Sequence, residues 1–185
     1  MQHSKNQAIM ESESGYFYVD ENGIAQRFIL SEDNLCINES IRTFVVPEGI
    51  KGFRSDFLRG IRVIERFELP ESLVRIGNNS FDSESEETCV FANCILPTVV
   101  IPDNVREIGI FAFGHSYINT LQLPISIRSP YGRQFKDSHI NVLRLPYDWK
   151  DSVELNRGQL VLKDSLQHND YGYLNWPSTF IGKLE

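Results

Sequence analysis

The sequence predicts a solenoid, of the mainly β or α/β class, whose successive coils stack around a shared hydrophobic interior. Three observations predict it. Apolar residues recur at fixed distances after a proline, an apolar–x–apolar triplet precedes each such proline, and these prolines are 23, 32, 22 and 22 residues apart. The prolines are Pro47, Pro70, Pro102, Pro124 and Pro146.

The segment from Pro102 to Pro124 shows the pattern most clearly. Apolar residues follow its first proline at offsets of 3, 6, 11, 16, 19 and 21 residues. They are Val105, Ile108, Phe113, Ile118, Leu121 and Leu123. The next copy, which ends at Pro146, keeps these offsets except the offset of 6, where Pro130 replaces an isoleucine.

Each proline closes a predicted strand. Because side chains alternate along a strand, Leu121 and Leu123 face the interior while Gln122 faces outward. Stacked copies form a parallel sheet, and proline, which has no N–H to donate, ends each strand. One repeat cannot bury its apolar side alone, so neighbouring coils share it. We expect a single right-handed solenoid domain, with the sheet on its concave face and short helical turns or irregular structure on its convex side.

A hairpin is predicted to cap the N-terminal end of the stack. Residues 1–14 are polar and rich in Ser and Glu, so we expect a flexible segment. In residues 15–40, aromatic and β-branched runs flank Asn22 and Gly23, a pair typical of hairpin turns. The repeats then occupy residues 41–146.

The C-terminal residues 147–185 leave the repeat period and are expected to form an irregular repeat and a second cap. A further hairpin is predicted there, with its turn at Asn156–Gln159. Leu174–Pro177 resembles one more strand closed by proline. The aromatic residues of this part either close the open end of the solenoid or form an interface. They are Tyr147, Trp149, Tyr171, Tyr173 and Trp176.

An insertion of about ten residues, at about 82–91, explains the long spacing between Pro70 and Pro102. The template positions on both sides of it are kept, so we expect a loop that leaves the core intact. Its acidic side chains either contact a basic partner or remain solvated. They are Asp82, Glu84, Glu86 and Glu87.

Written out, the template is Pro-x-x-Val-x-x-Ile-Gly-x-x-Ala-Phe, followed by x-x-Ser-x-Ile-x-x-Leu-x-Leu-Pro. It resembles the BspA-like leucine-rich repeats of bacteria. Pro102–Phe113 and Pro70–Phe81 match best, and Phe91–Cys94 is similar to the family's Phe-x-x-Cys step, with Ser116 and Ser138 in the equivalent place. The resemblance covers about residues 40–146. It implies a leucine-rich repeat fold and a recognition scaffold, since such proteins are typically surface or secreted proteins that bind other macromolecules.

The outward strand positions are the predicted binding face, because solenoids bind through such surfaces. These positions mix apolar, hydroxyl and charged groups, which suits a protein or glycan partner; the alternative is a solvated or covered face. One column is Val45, Glu68, Val100, Gln122 and Arg144, and the flanking column is Thr43, Arg66, Thr98, Thr120 and Val142.

No pattern of residues indicates catalysis, a cofactor or a metal, and we expect a protein that is not an enzyme. Cys94 near His115 is a conceivable nucleophile, but the template places Cys94 among small residues packed into the wall. Ser126, Asp137 and His139 have the residue types of a triad without the strand-to-helix turn around the serine. A small hydrolase or metal-dependent enzyme is the less favoured alternative.

Charge and hydropathy limit the partners and the location. The net charge of −7 argues against nucleic acid, which requires clustered Lys and Arg. No apolar run is long enough for membrane insertion or a signal peptide, so a cytoplasmic location is expected for the sequence as it stands. A signal removed upstream would instead indicate an extracellular or surface adhesin-type fragment. Cys89 and Cys94 are then either reduced thiols or a disulfide pair.

Overall fold

A computed structural model describes residues 7–34, 38–77, 89–127, 132–135 and 137–144 and the backbone of three C-terminal strands. Nearly all of the regular structure is β. In chain order the strands are β1 (Ala8–Ser12), β2 (Gly15–Val19), β3 (Ile24–Leu30), β4 (Ser40–Val45), β5 (Gly52–Phe53), β6 (Arg62–Glu68), β7 (Arg75–Ile76), β8 (Ile95–Val100), β9 (Glu107–Ile108), β10 (Tyr117–Gln122), β11 (His139–Arg144), β12 (Val153–Asn156), β13 (Gln159–Leu162) and β14 (Lys183–Leu184). Two 3-10 turns cover Glu32–Asn34 and Gly132–Phe135.

The main sheet has six strands in the order β14-β11-β10-β8-β6-β4, and every registered pair in it is parallel. Its register follows the repeat, since Ile118 pairs with Leu96 on one side and with Ile140 on the other. Stacking one coil on the next therefore aligns equivalent template positions. The predicted parallel-sheet solenoid is confirmed.

The opposite side of the coils carries strands of only two residues. β7 pairs with β9 in parallel, joining Ile76 to Ile108, and β5 pairs in parallel with β3. Ile76 and Ile108 occupy the template offset of 6 and are fully buried. This side was expected to hold short helical turns or irregular structure. It has short parallel strand pairs as well as turns, because the buried isoleucines of successive coils bring their backbones into register.

The interior is a column of aromatic side chains, one from each coil. Phe91, Phe113 and Phe135 stack in sequence with ring centroids 5.3 Å apart at each step. All three are at most 1 % exposed. Phe91 therefore belongs to the core and not to the predicted insertion at 82–91, which must end before Cys89. Phe81, predicted for this column from the preceding proline, lies outside the described residues.

A second column, of small polar side chains, joins the coils by hydrogen bonds. Ser116 Oγ accepts the N–H of Cys94 at 3.1 Å and donates to the Phe91 carbonyl at 2.7 Å. One coil later, Ser138 Oγ accepts the N–H of Ser116 and donates to Phe113 in the same way. These hydroxyls pair backbone groups that the turn leaves without a strand partner. This explains why Cys or Ser recurs three residues after the phenylalanine.

The N-terminal cap differs in part from its prediction. The hairpin of β2 and β3 is confirmed, but residues 8–12 of the expected flexible segment form β1, which pairs antiparallel with β2. The cap also closes the edge of β4. Asn34 accepts the Thr43 N–H at 2.8 Å and donates to the Thr43 carbonyl, while Ser14 Oγ accepts the Val45 N–H at 2.6 Å. Open edges invite pairing with other chains, and these contacts block this one.

The C-terminal part is described only for its strands. β12 and β13 pair antiparallel, which confirms the predicted hairpin, and β14 adds to the main sheet beside β11. The strand resemblance at 174–177 and the cluster of aromatic residues lie outside the described residues.

Candidate functional site

The outward face of the main sheet carries the two predicted columns in register. Val45 pairs with Glu68, and Gln122 lies between Val100 and Arg144. In the flanking column, Thr43 pairs with Arg66, and Thr120 lies between Thr98 and Val142. Parallel pairing of equivalent repeat positions produces this alignment directly.

Thr120 is the exception to the expected exposure of these columns. It is only 8 % exposed, although Thr98 beside it is exposed. Ile118 and Leu121 are both fully buried although they are three residues apart, so side-chain alternation is broken between them and Thr120 falls on the buried side. The prediction that Thr120 is available for contact is therefore wrong.

Charged groups are concentrated on the N-terminal half of the face and are largely paired. Arg66 donates to both carboxylate oxygens of Glu68, at 2.6 and 2.9 Å, and also contacts Glu13 of the cap. The hydrogen bond to Glu68 raises the pKa of Arg66. Arg42 contacts Glu65 at 3.4 Å. These ion pairs connect side chains of β4, β6 and the cap.

The C-terminal half of the face carries an aromatic and amide cluster that sequence reasoning missed. Tyr117 and His139 stack with ring centroids 4.9 Å apart. Asn141 donates to the Tyr117 hydroxyl at 2.6 Å and to Asn119 Oδ1 at 3.1 Å, and its own Oδ1 lies 2.9 Å from His139 Nε2. The signal was in the sequence: these residues flank the inward-facing Ile118 and Ile140, so alternation directs them outward.

Exposed apolar side chains are also concentrated on this face. Eight large hydrophobic residues are strongly exposed in the described part of the chain, and half of them lie on adjacent strands of the main sheet. Those on the face are Ile64, Ile95, Val100 and Tyr117, whereas Ile9, Tyr16, Val74 and Ile125 lie elsewhere. Ile95 and Tyr117 are registered neighbours at the start of their strands, whereas Val100 lies five residues further along β8. Single exposed apolar residues are normal on folded proteins.

A cleft of about 340 Å³ opens on the face between β6 and β8. Its apolar lining includes Leu69, Pro97 and Val100, and its charged lining is Glu65, Arg66, Glu68 and Glu71. This volume is at the small end of the range for ligand pockets, about 300–1,000 Å³. The cleft therefore has room for a side chain and not for a large cofactor.

A model of the BspA type leucine-rich repeat region matches residues 31–90 and 84–154, in six copies, and so spans more than half of the chain. The chain belongs to this family. The family accounts for the repeat scaffold, and the stacked coils described above are its leucine-rich repeats. Searches of curated proteins and of solved structures found no match to the chain.

The residues weighed for catalysis have other structural roles in this leucine-rich repeat protein. Burial raises the pKa of Cys94 to about 12, so it is a neutral thiol near pH 7. Ser126 Oγ donates to the Val105 carbonyl at 2.6 Å, and Asp137 faces His115 at 3.9 Å. His115 and Asp137 occupy the same left-handed turn position in successive coils, with φ of 55° and 57°. The positions of His115 and Asp137 are therefore explained by the turn that each coil repeats.

The described residues contain neither a metal-binding cluster nor a helix that could span a membrane. No group of three or more His, Cys, Asp or Glu side chains there is placed to hold a metal ion. None of the helical segments described has the length and hydropathy that crossing a bilayer demands. Cys89 and Cys94 are buried and are not joined by a disulfide. The acidic side chains Asp82, Glu84, Glu86 and Glu87 lie outside the described residues.

Proposed function

We propose that this leucine-rich repeat scaffold is a non-catalytic binding protein that recognises a protein partner through the outward, concave face of its main sheet. The observation that supports it is the placement of exposed apolar side chains. Ile64 and Ile95 are 50 % and 43 % exposed on adjacent strands, Tyr117 is in register with Ile95, and Val100 is exposed further along β8. Burying such side chains against a partner stabilises a complex by roughly 25 cal/mol per Å² of apolar area.

A protein partner fits this face better than a glycan does. Sugars stack on the exposed face of an aromatic ring. One face of the Tyr117 ring is covered by His139 at an interplanar angle of 12°, and Ile95 lies in register on its other side. One ring face of Tyr117 is therefore already occupied, and the mixed apolar and polar groups around it suit the surface of a protein.

The experiment uses a matched pair of double variants. Ile64→Thr with Ile95→Thr removes apolar surface from the face, while Val74→Thr with Ile125→Thr removes comparable surface elsewhere; threonine retains β propensity in each. Wild-type protein is used to capture partners from the source organism's cells and medium, and the captured protein is titrated against each variant. We expect the face variant to lose at least about tenfold in affinity, equivalent to 1.4 kcal/mol, and the control variant to bind as wild type.

Three outcomes would contradict the proposal. The captured protein binds the face variant as tightly as the wild type, no protein is captured, or a glycan array shows saturable glycan binding that the face variant abolishes. Equal loss in both variants would also count against it, because the effect would then not depend on the face.

A further inference from the structure

The cleft lies where β6 and β8 share little pairing. Arg62↔Ile95 is the one registered pair between these strands in the described residues, whereas β8 and β10 share five. Pro97, which lines the cleft, has no N–H to donate to a neighbouring strand.

The lining of the cleft combines apolar and acidic side chains. Leu69, Pro97 and Val100 belong to its apolar part, and Glu65, Glu68 and Glu71 are its carboxylates. Arg66, the basic residue of the lining, is shared between Glu13 and Glu68, and no Lys, Arg or His among the described residues forms an ion pair with Glu71. The lining therefore keeps a net negative charge.

We propose that this cleft receives a Lys or Arg side chain from a basic segment of the protein partner. Such a side chain combines an apolar stem with a charged end, and it matches a lining that contains both apolar side chains and carboxylates. The net charge of −7 on the whole chain attracts a basic segment over longer distances. The inference rests on the proposed function, because it assigns the chemistry of the partner at one place on the binding face.

The probe is a fluorescein-labelled nonapeptide of alternating Lys and Val, compared with its Glu–Val counterpart by fluorescence polarisation at 0.15 M salt. The cleft variant is Glu68→Gln with Glu71→Gln. The control is Glu21→Gln with Glu32→Gln, two exposed residues of the cap, which changes the net charge by the same amount. We expect the Lys–Val peptide to bind, the Glu–Val peptide not to bind, and the cleft variant to lose at least about fivefold in affinity, with less than a twofold change in the control.

Equal losses in the two variants would overturn the inference, because attraction would then come from net charge alone. Absence of binding by the Lys–Val peptide, or unchanged affinity in the cleft variant, would overturn it as well. The proposed function is tested separately by Ile64 and Ile95, neither of which lines the cleft. If the captured partner fails to bind the Ile64 and Ile95 variant but still binds the cleft variant, the proposed binding face is supported and the proposed role of the cleft is overturned.

Discussion

The interior and the outward face of the main sheet share one register but differ in what is repeated. Inside, Phe91, Phe113 and Phe135 are the same residue in three successive coils. Outside, the paired positions Val100 and Gln122 carry unrelated chemistry. The interior residues repeat because the side chains of each coil must pack closely against those of the next, whereas residues on the face are free to vary. The residues that pack the coils are therefore different from those of the proposed binding face.

The largest expected effect comes from the interior. Phe113→Ala should lower the free energy of unfolding by about 3–5 kcal/mol, because it removes a fully buried ring that contacts two others. Urea denaturation measures this loss. Tyr117→Ala, an exposed aromatic residue nearby on the face, is the comparison and should cost less than about 1.5 kcal/mol. Similar losses for the two variants would break the distinction between interior and face.

The next effect concerns the polar column. Ser116→Ala leaves the Cys94 N–H and the Phe91 carbonyl without their hydrogen-bond partner, and should cost about 1–3 kcal/mol. Ser116→Cys should cost less, because Cys94 already occupies the equivalent position and its thiol approaches the Leu58 carbonyl. Chemical denaturation of both variants tests this order. If alanine were tolerated as well as cysteine, the hydroxyl would have no role in joining coils.

The sequence determined the repeat register but not every element. The offsets from the prolines were sufficient to predict the parallel sheet, because a constant spacing places equivalent positions of successive coils side by side. β1 was missed because its polar segment is held by pairing with β2, a tertiary contact that composition does not reveal. The core position of Phe91 can be predicted only by counting back from Pro102, because the insertion changes the distance between Phe91 and Pro70.

The register of the outward strand positions was predicted from spacing, whereas their role in binding stays a prediction. The template named only two outward positions per coil, so Tyr117 and Asn141 were missed. Thr120 is buried because alternation is broken between Ile118 and Leu121. The cleft depends on how few residues of β6 and β8 pair, which side-chain spacing alone does not supply.

A smaller effect on stability is expected from pH, through Glu48 in the turn that follows β4. The Glu48 carboxylate accepts the backbone N–H groups of Glu71 and Ser72 at 2.8 and 3.1 Å, and the bond from Glu71 is the main cause that lowers the pKa of Glu48 from its ordinary 4.5. A lowered folded-state pKa gives stability above about pH 4.5 that is lost as pH falls through the folded value. Because Glu48 is exposed, the contribution should be below about 1 kcal/mol.

Glu48→Gln tests this directly. Its unfolding free energy should be slightly below that of the wild type at pH 7, and the difference should disappear near pH 3, where the Glu48 carboxyl is protonated. Thermal or urea denaturation across this range measures the difference. A gap that grows as the pH falls would mean that the carboxylate is not the stabilising form.

The smallest expected effect on stability comes from the face itself. Ile64→Thr with Ile95→Thr should change the free energy of unfolding by less than about 1 kcal/mol, because both side chains are about half exposed. Circular dichroism and urea denaturation provide the check. A large loss would assign these residues to packing and would weaken their use as probes of binding.

Hydroxyl-radical footprinting of the complex with the captured partner tests the central claim most directly. The exposed apolar side chains act as reporters, four on the sheet face and four elsewhere. The account predicts that labelling of Ile64, Ile95, Val100 and Tyr117 falls when the partner binds, while labelling of Ile9, Tyr16, Val74 and Ile125 stays constant. Protection of the second group with continued labelling of the first would contradict it.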